Sequence, residues 1–178
     1  FSEVWKTTGV SRPPLARQQV IERGIIGKTA ITSIDNKIYF MDQERRVNVL
    51  SGAQYQPMEV PGLDAEISSY STVDDVIFSS YSLNRNNFVE ITFPNEKSSW
   101  SYHESSGQWC KREDINSNKF RSVAYVNVYN TLIALDHTNG KIYELVDTVY
   151  QDDGSAITRT VDSVVIDSNA LGVPDQKL

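Results

Sequence analysis

Asn86-Asn87 followed by Phe88-Val89-Glu90-Ile91-Thr92-Phe93-Pro94 is the stretch on which the fold turns. Its residues are aromatic or β-branched, it is too short for a stable helix, and turn formers bound it on both sides, the signature of a buried strand. Val76–Leu83 before it, and Ser99–Tyr102 and Trp109–Arg112 after it, read as three more strands. The connections 84–87, 95–98 and 104–108 are short enough to be antiparallel hairpins. Gly107 supplies the positive φ such a turn often needs. The stretch therefore predicts a small four-stranded antiparallel sheet.

The same grammar recurs on either side. Lys37-Ile38-Tyr39-Phe40-Met41-Asp42 follows Asp35-Asn36, and Thr131-Leu132-Ile133-Ala134-Leu135-Asp136 follows Tyr129-Asn130. Each has a strand before it (30–34, 122–128) and another after it (46–50, 141–145). Ile38, Val89 and Leu132 are spaced by 51 and 43 residues, against roughly 40–50 residues for one propeller blade. His137-Thr138-Asn139-Gly140 carries Asn-Gly, the strongest short hairpin signal in the chain. The predicted fold is all-β: a β-propeller-like array of four-stranded antiparallel blades in one domain over 1–178. Three blades are expected at 28–60, 72–112 and 119–150, with a closing hairpin at 141–167 turning at Asp152-Asp153-Gly154, and a strand of an earlier blade at 2–6. Three blades do not close a ring, so the chain reads as a fragment of a larger propeller with open sheet edges. Residues 171–178 read as a frayed tail.

Helical signals are few. Leu15–Arg23, after Pro13-Pro14 and before Gly24, reads as a short helix; Leu63–Tyr70 reads as another, and Thr72–Asp75 as one turn.

The 178 residues carry 23 acidic and 17 basic side chains, a net charge of -6 and a pI near 4.9. That sign disfavours wholesale coating of DNA. A single cysteine, Cys110, excludes an internal disulfide or a cysteine-built zinc cluster. No run approaches the ~20 apolar residues of a membrane helix. The start, Phe1-Ser2-Glu3-Val4-Trp5, does not read as a signal peptide.

Several stretches together resemble a known family. Ser2-Glu3-Val4-Trp5-Lys6-Thr7-Thr8-Gly9, Ile21-Glu22-Arg23-Gly24-Ile25-Ile26-Gly27, Phe93-Pro94, Trp100-Ser101-Tyr102 before Gly107-Gln108-Trp109, and Gly140-Lys141-Ile142-Tyr143 after Asp136 are similar to the packaged-DNA stabilisation proteins of short-tailed phages, the tail-hub or tail accessory proteins. Tyr150-Gln151-Asp152-Asp153-Gly154-Ser155-Ala156-Ile157-Thr158-Arg159 resembles the family's exit hairpin. The resemblance runs from Ser2 to about Asp167. It implies a virion structural protein, assembled in the bacterial host cytoplasm. In that family a ring of subunits extends the DNA channel below the portal and adaptor and helps retain the genome.

Chemistry-bearing residues are sparse. His103 at a strand end and His137 in a turn lack a nucleophile-elbow frame and read as surface residues. Cys110, beside Trp109 in a strand, reads as a small core residue. The pairs Asp74-Asp75, Glu113-Asp114 and Asp152-Asp153 point to opposite faces where they lie on strands, so they do not converge as a glycosidase pair must. Asp152-Asp153-Gly154 lacks the remaining ligands of a calcium loop. No Gly-rich phosphate loop, metal triad or cofactor motif is present, so no cofactor is expected.

Two groups remain as possible partner or ligand contacts. Trp100, Tyr102 and Trp109, with Tyr81, form either an aromatic platform for a sugar or, the preferred reading, core between blades. Arg45-Arg46 and Lys111-Arg112 are either solvated turn residues, again preferred, or loose contacts to DNA in a ring channel. A conduit needs weak contact, because each neutralised phosphate adds affinity that would slow ejection. The expected protein is not an enzyme. It is a ring-forming tail-hub component that meets portal, adaptor and tail proteins. The alternatives are a carbohydrate-binding propeller or adhesin, and a propeller-fold glycosidase.

Overall fold

A computed structural model describes residues 1–114, 119–137, 139–152 and 154–157. The chain divides into two compact units, Phe1–Thr148 and Val149–Leu178.

The first unit opens with a hairpin of β1 (Ser2–Thr7) and β2 (Leu15–Ile21). Here the expected helix over Leu15–Arg23 is wrong. Leu15, Ala16, Arg17 and two Gln are good helix formers, but β1 offers a whole row of backbone partners, and pairing overrides propensity. Every residue of β2 except Ile21 is exposed, so no apolar helical stripe is buried. A bulge between Val4 and Trp5 and the ion pair Arg17–Glu3 at 3.0 Å fix the register.

Three antiparallel sheets follow. The first has the order β3 (Ile31–Ile34), β4 (Lys37–Met41), β5 (Val47–Ser51) and β6 (Gln54–Pro57). After it comes α1 (Pro61–Ser69), started by Pro61 and by Asp64, whose Oδ2 accepts the Val60 N–H at 3.0 Å. Its buried side chains are Leu63 and Ile67, one turn apart. The second sheet is β7 (Ile77–Leu83), β8 (Asn86–Phe93), β9 (Ser98–His103) and β10 (Gln108–Arg112), again in meander order. The third is β11 (Ser122–Val128), β12 (Thr131–Asp136) and β13 (Ile142–Glu144), three strands among the described residues. The single helical turn expected at Thr72–Asp75 does not form; a reverse turn over 73–76 takes its place, with the Val76 N–H donating to the Val73 carbonyl at 3.3 Å.

The first turn of each sheet has one design. Asp35-Asn36 (φ 48° and 59°), Asn84-Arg85 (51° and 65°) and Tyr129-Asn130 (50° and 65°) are two-residue loops with both residues left-handed, the type I′ geometry whose twist suits a hairpin. The second turns also share a positive φ, at Arg45, Lys97 and Gly140.

The first strands of the sheets lie together. Phe78 N–H donates to the Thr29 carbonyl at 2.8 Å, Thr29 Oγ1 donates to the Val76 carbonyl at 2.7 Å, and the Thr32 and Ser80 hydroxyls meet at 2.9 Å. On the other side of β7, the Tyr81 and Tyr125 rings sit 4.4 Å apart. The sheets therefore fan outward from β3, β7 and β11, which stand side by side. Gly27 lets the entry to β3 pass the turn at Asp74-Asp75: a Cβ there would come within 2.2 Å of the Asp74 carbonyl oxygen.

In the second unit, β14 (Gln151–Asp152) and β15 (Ser155–Ala156) pair as a minimal hairpin, with Gly154 at φ 84°. The long closing hairpin over 141–167 is not seen in the described residues. Ile142–Glu144 instead joins the third sheet as a partner of β12, leaving 145–150 outside any strand. The rest of the expected second arm, from 158, lies outside the described residues.

Candidate functional site

Strand alternation sorts the second sheet into two unlike faces. Phe78, Val89, Ile91, Phe93, Trp100, Tyr102 and Trp109 share one face, turned toward the first sheet. They pack with Tyr39, Met41, Val47, Leu63 and Ile67 into the main core, where Val89, Ile91 and Phe93 are fully buried. Tyr102 lies 6.1 Å from Tyr39 and 5.0 Å from Trp109, ring centre to ring centre. Trp100, Tyr102 and Trp109 are thus half-buried wall of an apolar joint between sheets. Tyr81 is on the opposite face, so the four aromatics do not assemble into one platform.

The opposite face is polar. Glu90, Thr92, Ser99 and Ser101 are all buried there. Arg112 Nη1 reaches Glu90 Oε1 at 2.6 Å and the Tyr81 hydroxyl oxygen at 3.1 Å, and the Tyr81 hydroxyl donates to Glu90 at 3.3 Å. The Arg112 guanidinium also lies 3.8 Å over the Phe120 ring, and Ser99 Oγ accepts the Phe120 N–H at 3.0 Å. Burial works against the Arg112 charge, but Glu90 beside it outweighs this and holds the guanidinium protonated. Burial pushes the Tyr81 and Tyr125 phenols up, so both stay neutral hydrogen-bonding groups.

Two carboxylate clamps close the ends of the main core, one between the first and second sheets and one between α1 and the second sheet. At one end Glu104 takes an ion pair from Lys37 and hydrogen bonds from Tyr39 at 3.2 Å and Asn87 at 2.8 Å. At the other, Glu66 on α1 accepts Tyr70 at 2.7 Å, Ser98 at 3.2 Å and Lys111 at 2.9 Å. Burial opposes ionisation of both carboxyls, yet these donors prevail and hold each below its ordinary value.

The basic pairs are spread out. Arg45 donates to the Tyr70 carbonyl at 2.7 Å, and Arg46 keeps 59% of its side chain exposed, 3.9 Å from Glu44. Lys111 and Arg112 point to opposite faces of β10, each toward a carboxylate. Cys110 is exposed on the outer strand β10, not a core residue as its neighbours suggest. His103 stacks on Phe88 at 4.9 Å and pairs with Ser106 at 2.8 Å, a turn-stabilising role. Asp75 accepts the Asn95 N–H at 2.9 Å, and Asp153 lies outside the described residues.

Sequence reasoning missed Glu90, although a lone charge inside Phe88-Val89-Glu90-Ile91-Thr92-Phe93 was its signal. It also missed that the strands β3, β7 and β11 carry hydroxyl, amide and apolar side chains but no charge. Among the described residues, no group of three or more His, Cys, Asp or Glu is placed to hold a metal, and no helix is long and apolar enough to cross a membrane.

No curated protein matches the chain. The family model described as bacteriophage P22 Gp10, β-propeller, matches residues 2–150, which takes in the N-terminal hairpin and all three fanned sheets. With most of the chain covered, and antiparallel sheets radiating from adjoining first strands, the protein belongs to the phage stabilisation family of the P22 Gp10 β-propeller.

Proposed function

We propose that this chain is a rigid module of a phage tail hub that extends the portal channel and helps retain packaged DNA, working through subunit contacts and without chemistry of its own. The three sheets act as blades at 28–60, 72–112 and 119–150 of one propeller-like domain. Copies assemble as a ring in the virion tail, formed in the host cytoplasm, and meet portal, adaptor and other tail proteins.

The observation that carries this reading is the placement of charge. The strands gathered at the fan's inner edge are uncharged, while Arg45, Lys111 and Arg112 are engaged within the chain. A surface with few free cations holds DNA only loosely, as a conduit that must later release it requires. Arg46 keeps the most exposure of the expected contact residues and is the one that reaches a neighbouring subunit or DNA; Trp100, Tyr102 and Trp109 serve the joint behind it.

Co-precipitation of the purified protein with the portal–adaptor assembly, together with assays for DNA and glycan hydrolysis, tests this reading. Stable co-assembly with no turnover is expected. Absence of binding to the assembly, or measurable hydrolysis that survives repurification, overturns it.

A further inference from the structure

The turn between β12 and β13 holds the chain's one Asn-Gly pair, Asn139-Gly140, and both residues are exposed. Asn139 Oδ1 accepts the Lys141 N–H at 2.8 Å, and its Nδ2 faces the Tyr143 hydroxyl oxygen at 3.5 Å. This turn folds the side chain back along its own backbone, on the side of the intervening Gly140 nitrogen. Gly140, at φ 69°, has no Cβ to crowd that approach, and among the described residues no hydrogen bond engages its N–H. The other turn asparagines are placed differently. Asn36 and Asn130 precede Lys37 and Thr131, strand residues paired with Ile34 and Val128. Asn84 precedes Arg85, which is left-handed and carries a full side chain.

We propose that Asn139 is a self-modifying site, which the native turn converts to isoaspartate and aspartate with water as the only co-reactant. The Gly140 nitrogen gives up its proton and bonds to Asn139 Cγ. The Cγ–Nδ2 bond breaks, and ammonia leaves carrying that proton. Water then opens the cyclic imide at either carbonyl: one opening restores the ordinary main chain with an aspartate, the other passes the main chain through Cγ. Nothing is oxidised or reduced. As the Gly140 nitrogen attacks, negative charge collects on Oδ1, and the Lys141 N–H already aimed there stabilises it. Holding nucleophile and amide in one turn replaces a search by a loose chain with a fixed approach. The isoaspartate product gains a carboxylate and lengthens the loop by a methylene. Both changes loosen the attachment of β13, whose residues Ile142–Glu144 pair with β12 directly after the turn. The site stands independently of the tail-hub reading.

The test is peptide mass spectrometry on the protein aged in mildly alkaline buffer, in its native state and in guanidinium chloride. Conversion at Asn139 should exceed that at Asn36, Asn84 and Asn130 at least about tenfold, and run no more slowly in the native state than in denaturant. Gly140→Ala should slow it about tenfold or more, since the added methyl crowds the attacking nitrogen. Hydrogen exchange over 142–144 should quicken as the protein ages, and stay constant in Asn139→Ser, which has no amide to lose. No conversion at Asn139, equal conversion at the other asparagines, or a native rate well below the denatured one overturns the proposal. So does undiminished conversion in Gly140→Ala, or exchange over 142–144 that ageing leaves unchanged.

Discussion

The two joints between neighbouring sheets are built from opposite materials. Between the first and second sheets, Tyr39, Met41, Val47, Val89, Ile91 and Phe93 meet in an apolar core sealed at its ends by Glu104 and Glu66. Between the second and third, Glu90, Arg112, Tyr81, Thr92 and Ser99 meet with Tyr125 and Phe120. The same strand, β8, serves both joints with alternate residues: Val89, Ile91 and Phe93 one way, Glu90 and Thr92 the other. The apolar joint gains from water release, which is indifferent to small changes in orientation. The ionic joint gains little net energy, since desolvation offsets the attraction. Its geometric demands are strict, so it fixes how the third sheet is turned against the second. One joint contributes most of the stability and the other fixes the angle.

The contrast breaks if single substitutions in the two joints behave alike in combination as well as alone. Phe93→Ala should cost about 3–5 kcal/mol in denaturant unfolding, by loss of apolar contacts and a cavity. Arg112→Ala should cost a comparable ~3–5 kcal/mol, because Glu90, 2% exposed as a side chain, is left buried and unpaired. The double variant Glu90→Leu/Arg112→Met then separates the joints: its stability should match or exceed that of the wild type. No double replacement that shortens Phe93 recovers in this way. A smaller effect, about 1–3 kcal/mol of overpacking, is expected for Gly27→Ala, measured by thermal melting. A neutral result there would mean that the Asp74 carbonyl moves freely away.

The smallest effect concerns acid. Glu104 and Glu66 have folded pKa values below their ordinary ones, so the stability they add is present above the unfolded value, near pH ~4.3. It is lost as the pH falls through the lowered folded value. Thermal melts from pH 7 downward should show a decline below about pH 4.5, and Lys37→Met should make that decline shallower. A decline of equal slope in the Lys37→Met variant would remove Glu104 from the clamp.

Much of this architecture was readable from turn chemistry. Asp35-Asn36, Asn84 and Asn130 accept left-handed backbone more readily than most residues, so each marks a hairpin, and the flanking β-branched runs complete it. The stretch Leu63–Tyr70 also reads as a helix, and α1 occupies Pro61–Ser69. What was not readable depended on partners distant in the chain. Leu15–Ile21 carries a helix former's composition and becomes a strand only because β1 lies alongside. Glu90 is a lone charge whose partner stands 22 residues away, a pairing no local pattern encodes. Cys110 follows an aromatic in a strand, yet its position on the outer strand leaves it exposed. Tyr129 looked like a turn residue and is one, but its complete exposure is a property of the folded chain.

The central claim is that this protein holds packaged DNA in place as a structural part of the virion. Phage particles assembled without it, then supplied with the purified protein, measure that claim through nuclease-accessible DNA. The account predicts that deficient particles leak their genome and that addition of the protein stops the loss. Particles that keep their DNA equally well with and without the protein would contradict it.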